Sequence, residues 1–77
     1  MNALELLYKG SINLKQKKIA SFRLDAEILL SKVLNKKREE ILINLEQEIC
    51  QKNLSRYKEL INRRSQNEPV AYILKEK

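Results

Sequence analysis

Apolar residues recur along this chain at helical spacing in four stretches, separated by short polar turns. The densest is residues 21–34, SFRLDAEILLSKVL. Placed on a helix, Phe22, Ala26, Leu29, Leu30 and Val33 share one broad face, while Leu24 and Ile28 fall towards the opposite side. A helix apolar on two sides needs neighbours on two sides, so this stretch is predicted to be the centre of the fold. Ser21 is positioned as its N-cap, and Asp25 lies near the positive end of the helix dipole. Arg23, Glu27 and Ser31, at four-residue spacing, form a polar strip left for solvent or a partner.

Residues 2–17 predict a first helix, with Leu4, Leu7, Ser11 and Leu14 on one face and Ala3 and Tyr8 flanking it. Gly10 inside that helix either costs about 1 kcal/mol against Ala or lets a neighbouring helix approach closely. The lysine-rich run 15–18 ends it. After Leu34, NKKR is a polar turn, and residues 38–45 predict a short helix with Ile41, Leu42 and Leu45 on one side. Glu39 and Glu40 fall in its first turn. Ile49 and Cys50 are expected to dip back to the core. A last helix spans residues 53–65, with Asn53 as N-cap and Leu54, Tyr57, Leu60 and Ile61 as its stripe. Arg63 and Arg64 occupy its last turn, and Asn67 suits a left-handed helix end. Pro69 forbids continuation and presses Glu68 into an extended conformation.

The run VAYIL that follows has strand composition, apolar on both faces. Nothing upstream reads as a strand to pair with it. It pairs either with another copy of the chain or with a partner beyond Lys77, and the second is preferred. The expected fold is therefore an all-α bundle of about four helices over residues 1–68. An extended segment, residues 69–77, then leads towards a further domain.

Composition narrows the class. Seventy-seven residues make one small domain, near the lower limit for a self-sufficient core. A single Gly and a single Pro favour helices over sheet. With 34% charged beside 43% hydrophobic residues, disorder is not expected. The opening MNALELLYKG lacks the pattern of a signal peptide, and no apolar run approaches membrane-spanning length. The lone Cys50 fits a reducing cytoplasm. With no histidine in the chain as a base, Cys50 is read as a small, part-buried side chain rather than a nucleophile.

The net charge of +6 comes in clusters, at residues 15–18, at Lys36, Lys37 and Arg38, and at Arg63 and Arg64. Each sits at a predicted helix end, where cations offset the dipole and keep a small domain soluble. The same charges equally suit an acidic or phosphate-bearing partner. No helix carries a dense basic face with base-reading residues at its start. At 5%, aromatic residues are too few for base stacking. A basic helical nucleic-acid-binding module is accordingly the alternative reading, and nucleic acid is not the expected partner.

RLDAEILLSKVL, Arg38 after a short turn, and RRSQNEPVAYIL together resemble the N-terminal domain of the HemK/PrmC family. These are S-adenosylmethionine-dependent methyltransferases that modify the glutamine of the Gly-Gly-Gln motif in class I peptide-chain release factors. In the family, the run from Arg64 to Leu74 leaves the helical domain and begins a hairpin leading to the catalytic domain. Two positions depart from the pattern: Lys75 stands where the family usually has Gly, and Asn67 where Gly is frequent. The glycine-rich cofactor turn of a methyltransferase and the family's Asn-Pro-Pro-Tyr motif are both missing from this sequence. The resemblance thus implies a release-factor-recognition domain with no catalytic, cofactor or metal site of its own. S-adenosylmethionine would belong to the parent enzyme.

Arg23, Glu27, Arg38 and Arg64 match family positions. Glu27 is expected to pair with Arg38 or Arg64 across the bundle. The candidate partner-binding residues are Arg23, Lys36, Lys37, Arg38, Arg64 and Tyr72. Lys36 and Lys37, exposed in a turn, would supply long-range attraction to an acidic partner. Tyr72 would either stack on that partner or cover the join with the catalytic domain.

Overall fold

The stretch predicted to be central is central. The computed structural model describes residues 1–75, in which α2 (Phe22–Leu34) packs against every other helix: α1 (Ala3–Gln16), α3 (Arg38–Leu42), α4 (Gln51–Ser65) and α5 (Val70–Leu74). Ala26, Leu29 and Leu30 are buried on its core face, and Phe22 and Val33 pack against that core. Its second side is covered less completely, and Leu24 remains exposed. Ser21 does stand at the N-cap position, but its hydroxyl bonds no backbone amide there. It donates instead to the Asp25 carboxylate at 2.9 Å. Asn35 in the left-handed conformation closes the far end.

Helix α1 begins one residue inside the predicted range because Asn2 caps it. The Asn2 side chain accepts from the Glu5 amide at 2.9 Å, and the Glu5 carboxylate accepts from the Asn2 amide at 3.1 Å. The amides of Ala3 and Leu4, left over at the helix start, donate to the carbonyls of Gln47 and Leu45, each at 3.0 Å. The loop after α3 is thereby tied to the N-terminus, and a single antiparallel bridge joins Asn2 to Glu48. The buried face of α1 is Ala3, Leu6, Gly10 and Leu14, not the predicted Leu4, Leu7, Ser11 and Leu14. The helix is rotated so that Leu4 and Tyr8 face outwards.

Gly10 explains that rotation. A Cβ at this position would overlap the Tyr57 hydroxyl and lie 3.1 Å from Ile61 Cδ1. The missing side chain lets α4 lie close against α1, the second of the two readings the sequence allowed. Tyr57 then reaches past α1 to donate its hydroxyl to the Ala26 carbonyl of α2 at 3.1 Å. One side chain therefore joins three helices. Burial pushes the Tyr57 phenol well above its ordinary pKa, with the Glu27 charge adding to the shift. The hydroxyl stays protonated, as its role as a donor requires.

The middle of the chain departs from expectation in detail. Helix α3 is one turn and a half, with Ile41 buried but Leu42 exposed. Ile49 dips back to the core as expected, while Cys50 is exposed and, in place of Asn53, is the N-cap of α4, which begins at Gln51, two residues before the predicted start. Tyr57, Leu60 and Ile61 are buried along α4 as predicted, with Leu54 packed against them. Asn67 has φ of 69°, the left-handed conformation assigned to it.

The tail is the main correction. Residues 70–74 are helical, not extended, with Pro69 as N-cap. Ile73 from this turn is completely buried, and it joins the same core as the residues of α1, α2 and α4. The extended reading of residues 76–77 lies outside the described residues. No strand is present among the described residues, so the all-α class holds. None of the described helices is long and apolar enough to cross a membrane.

Candidate functional site

The two longer motifs that carried the sequence resemblance meet in one place. Arg64, near the end of α4, donates from Nε to Asp25 Oδ2 on α2 at 2.8 Å. Its Nη1 donates to the Glu68 carbonyl at 3.3 Å. Arg63 donates from Nε and Nη2 to the Glu68 carboxylate at 2.7 and 2.9 Å. These hydrogen bonds hold the Glu68 carboxyl below the usual carboxylate range and push the Arg63 guanidinium up. Lys32 Nζ donates to the Leu74 carbonyl at 3.2 Å, closing the far end of α5. Asp25, Arg64, Glu68, Pro69 and Ile73 are thus parts of a clamp that seats α5 on α2 and α4. Arg64 is turned inwards by this role.

Arg38 is similarly engaged. It donates from Nε and Nη2 to Glu27 Oε1 at 3.2 and 2.9 Å, which ties α3 to α2. Of the two partners foreseen for Glu27, Arg38 is the one it has. The other sequence candidates point outwards from three separate places. Arg23 is in the first turn of α2, while Lys36 and Lys37 lie past its last turn, about 20 Å away along the helix. Lys36 Nζ reaches Gln47 Oε1 at 3.3 Å, and the Lys37 amide donates to Glu40 Oε1 at 3.1 Å. Tyr72 stands 65% exposed on α5. The six residues therefore do not form one surface.

A different surface gathers apolar side chains into a concavity. Between α1 and α2 runs an open groove of about 430 Å³ lined by Leu4, Leu7, Tyr8 and Phe22, with Lys15 and Arg23 on its rim. Leu4 is 52% and Tyr8 65% exposed. Lys15 Nζ lies 5.8 Å and the Arg23 guanidinium 6.0 Å from the centre of the Phe22 ring, so both cations lie against the same aromatic ring. Of these residues only Arg23 was singled out from the sequence as a binding residue. The available signal was that α1 has two apolar stripes, one through Leu6 and Gly10, one through Leu4 and Tyr8, and can bury only one.

Two other concavities are built differently. One of about 340 Å³ lies between α1 and α4 beside Gly10 and Tyr57. Another of about 490 Å³ at the α2–α3 turn is lined by polar and charged side chains, including Lys36 and Lys37. Among the described residues no group of three or more His, Cys, Asp or Glu could hold a metal ion. The single glycine lies inside α1, not in a turn that could approach a cofactor.

Comparison with known proteins agrees with the motif residues. The family described as the PrmC N-terminal domain matches residues 5–74. A release factor glutamine methyltransferase of Leptospira interrogans is 45% identical over 74 residues, covering 96% of this chain and 26% of that protein. One from Clostridium botulinum is 40% identical over 70 residues, covering 91% of this chain and 25% of its own length. A bifunctional methyltransferase of Rickettsia felis is 39% identical over 70 residues, 91% of this chain and 13% of that protein. The chain thus spans about a quarter of the length of the first two relatives and about an eighth of the third. No solved structure matches it.

Proposed function

Because the chain belongs to the PrmC N-terminal domain family, we propose that it is the substrate-recognition domain of a protein-glutamine methyltransferase. Its partner is a class I peptide-chain release factor, and the methylated group is the glutamine of the Gly-Gly-Gln motif. S-adenosylmethionine serves the catalytic domain of the parent enzyme and has no site in this chain. The observation that carries this reading is the likeness to release factor glutamine methyltransferases over 96% of the chain, at a quarter of their length. The arrangement suits a cytoplasmic protein of translation termination.

In physical terms the domain supplies contact area remote from the reacting atom. A single glutamine side chain offers little surface to recognise. Binding a second part of the release factor adds orientation, and that binding energy positions the amide against the cofactor. Arg23, Lys36, Lys37 and Tyr72 are exposed and available for this contact. Arg38 and Arg64, held by Glu27 and Asp25, shape the domain that presents them. The same internal pairing weakens the nucleic-acid alternative, since Arg38, Arg63 and Arg64 all face carboxylates.

Calorimetry tests the reading directly. Release factor titrated into the 77-residue chain should bind weakly, with affinity falling as salt is raised, because attraction by exposed lysines is screened over about 8 Å at physiological ionic strength. S-adenosylmethionine should give no saturable heat. Release factor that fails to bind at low salt, or cofactor that binds at micromolar concentration, would overturn it.

A further inference from the structure

We infer that the α1–α2 groove is where the domain takes hold of the release factor, and that its occupant is an exposed acidic segment carrying one large apolar side chain. This rests on the release-factor reading above and adds the surface and the chemistry of what it binds.

The groove has the composition of an interface centre. Its floor and lips are aliphatic and aromatic, and Leu4 and Tyr8 are left uncovered although α1 buries a second stripe nearby. A contiguous apolar surface rimmed by charge marks a site of association, and aromatic and arginine side chains dominate such sites. Tyr8, Phe22 and Arg23 supply that set within one groove.

Charge selects the occupant. Lys15 and Arg23 converge on the Phe22 ring, and neither has a carboxylate partner among the described residues. The one carboxylate lining the groove, Glu27, is already engaged by Arg38. The groove is therefore apolar at its centre and cationic at its rim. It calls for an aromatic or branched aliphatic side chain flanked by Asp or Glu. A second copy of the chain fits poorly, because two molecules of net charge +6 would bring the same cations face to face. The α2–α3 turn has lysines but no apolar anchor, which suits steering rather than holding.

The test is titration of the isotopically labelled 77-residue chain with purified class I release factor, followed by amide NMR. Resonances of Leu4, Tyr8, Lys15, Phe22 and Arg23 should move most. Arg23→Glu and Tyr8→Ser should each weaken binding at least tenfold while far-ultraviolet dichroism and melting temperature stay unchanged, since both side chains are exposed. Lys36→Glu should slow association with a smaller effect on dissociation. Shifts confined to the α2–α3 turn or α5 would overturn the groove and leave the release-factor reading standing. No shifts at all at low salt would overturn both. Groove shifts produced by concentrating the chain alone, or equally by single-stranded RNA, would overturn the proposed occupant.

Discussion

Arg64 and Asp25, thirty-nine positions apart, meet at 2.8 Å with side chains only 18% and 7% exposed. The Asp25 carboxylate also accepts from Ser21, and Arg64 also donates to the Glu68 carbonyl. The pair thus joins the start of α2, the end of α4 and the entry to α5.

Removing one partner strands the other charge in a largely dry seam. The expected cost of Arg64→Ala or Asp25→Ala is about 2–3 kcal/mol, between the values for exposed and fully buried pairs. Chemical denaturation of each single variant and of the double variant gives the coupling. The two single costs should add to more than the cost of the double variant. Strict additivity would show that the two side chains act independently.

Gly10→Ala should destabilise the domain although Ala is the better helix former by about 1 kcal/mol. The new methyl group meets the Tyr57 hydroxyl, which cannot swing away without losing its bond to Ala26. Overpacking of this type costs about 1–3 kcal/mol. Tyr57→Phe removes the colliding oxygen at the price of one hydrogen bond, about 1 kcal/mol. The Gly10→Ala, Tyr57→Phe double variant should therefore melt higher than the sum of the two single effects allows. A stabilised Gly10→Ala variant would show that α1 and α4 are not in close contact there.

Acid should loosen the clamp. Glu68 has its pKa lowered in the folded chain, chiefly by hydrogen bonds from Arg63. Its stabilising contribution is therefore complete above the ordinary glutamate pKa and is lost as pH falls through the lower folded value. Arg63, raised, would lose its share only in strong alkali. Carbon-detected titration of Glu68 should show a midpoint below that of a free glutamate. Glu68→Gln should flatten the loss of stability on acidification, and an unchanged pH profile would count against the pair.

Much of this fold was legible from spacing. The place of α2, the stripe of α4, the return of Ile49 and the left-handed Asn67 follow from periodicity and end signals that do not depend on partners. The rotation of α1 was not, because two apolar stripes fit a helical period equally and only the fit of Tyr57 against Gly10 decides between them. Asp25 read as a dipole-stabilising acid, since sequence shows its place in the first turn but not the arginine that reaches it from α4. The groove was hidden for the same reason as the rotation: Leu4 was placed on the apolar face of α1, with Tyr8 flanking it. Residues 70–74 show the limit most clearly. A short apolar run has no period long enough to separate strand from helix.

Ile73 decides what the tail contributes. Strand composition and the lack of a pairing strand predicted an extended segment leading away from the bundle. The structure instead makes one helical turn after Pro69, with the Tyr72 and Ile73 amides bonded to the Pro69 carbonyl at 3.0 and 3.1 Å. That turn places Ile73 at zero exposure in the common core, while Tyr72 beside it is 65% exposed. Backbone order in so short a helix costs about 1–2 kcal/mol per residue, and burial of Ile73 with the bonds from Lys32 and Arg64 offsets it. Ile73→Ala should then cost about 2–4 kcal/mol, a fall in melting temperature of roughly 10–25 °C for a domain this small. Tyr72→Ser should stay within about 0.5 kcal/mol of the parent. Deleting residues 70–77 should be at least as damaging as Ile73→Ala. Thermal melts of the three variants check the order. An Ile73→Ala domain that melts with the parent would show that the tail is not part of the core.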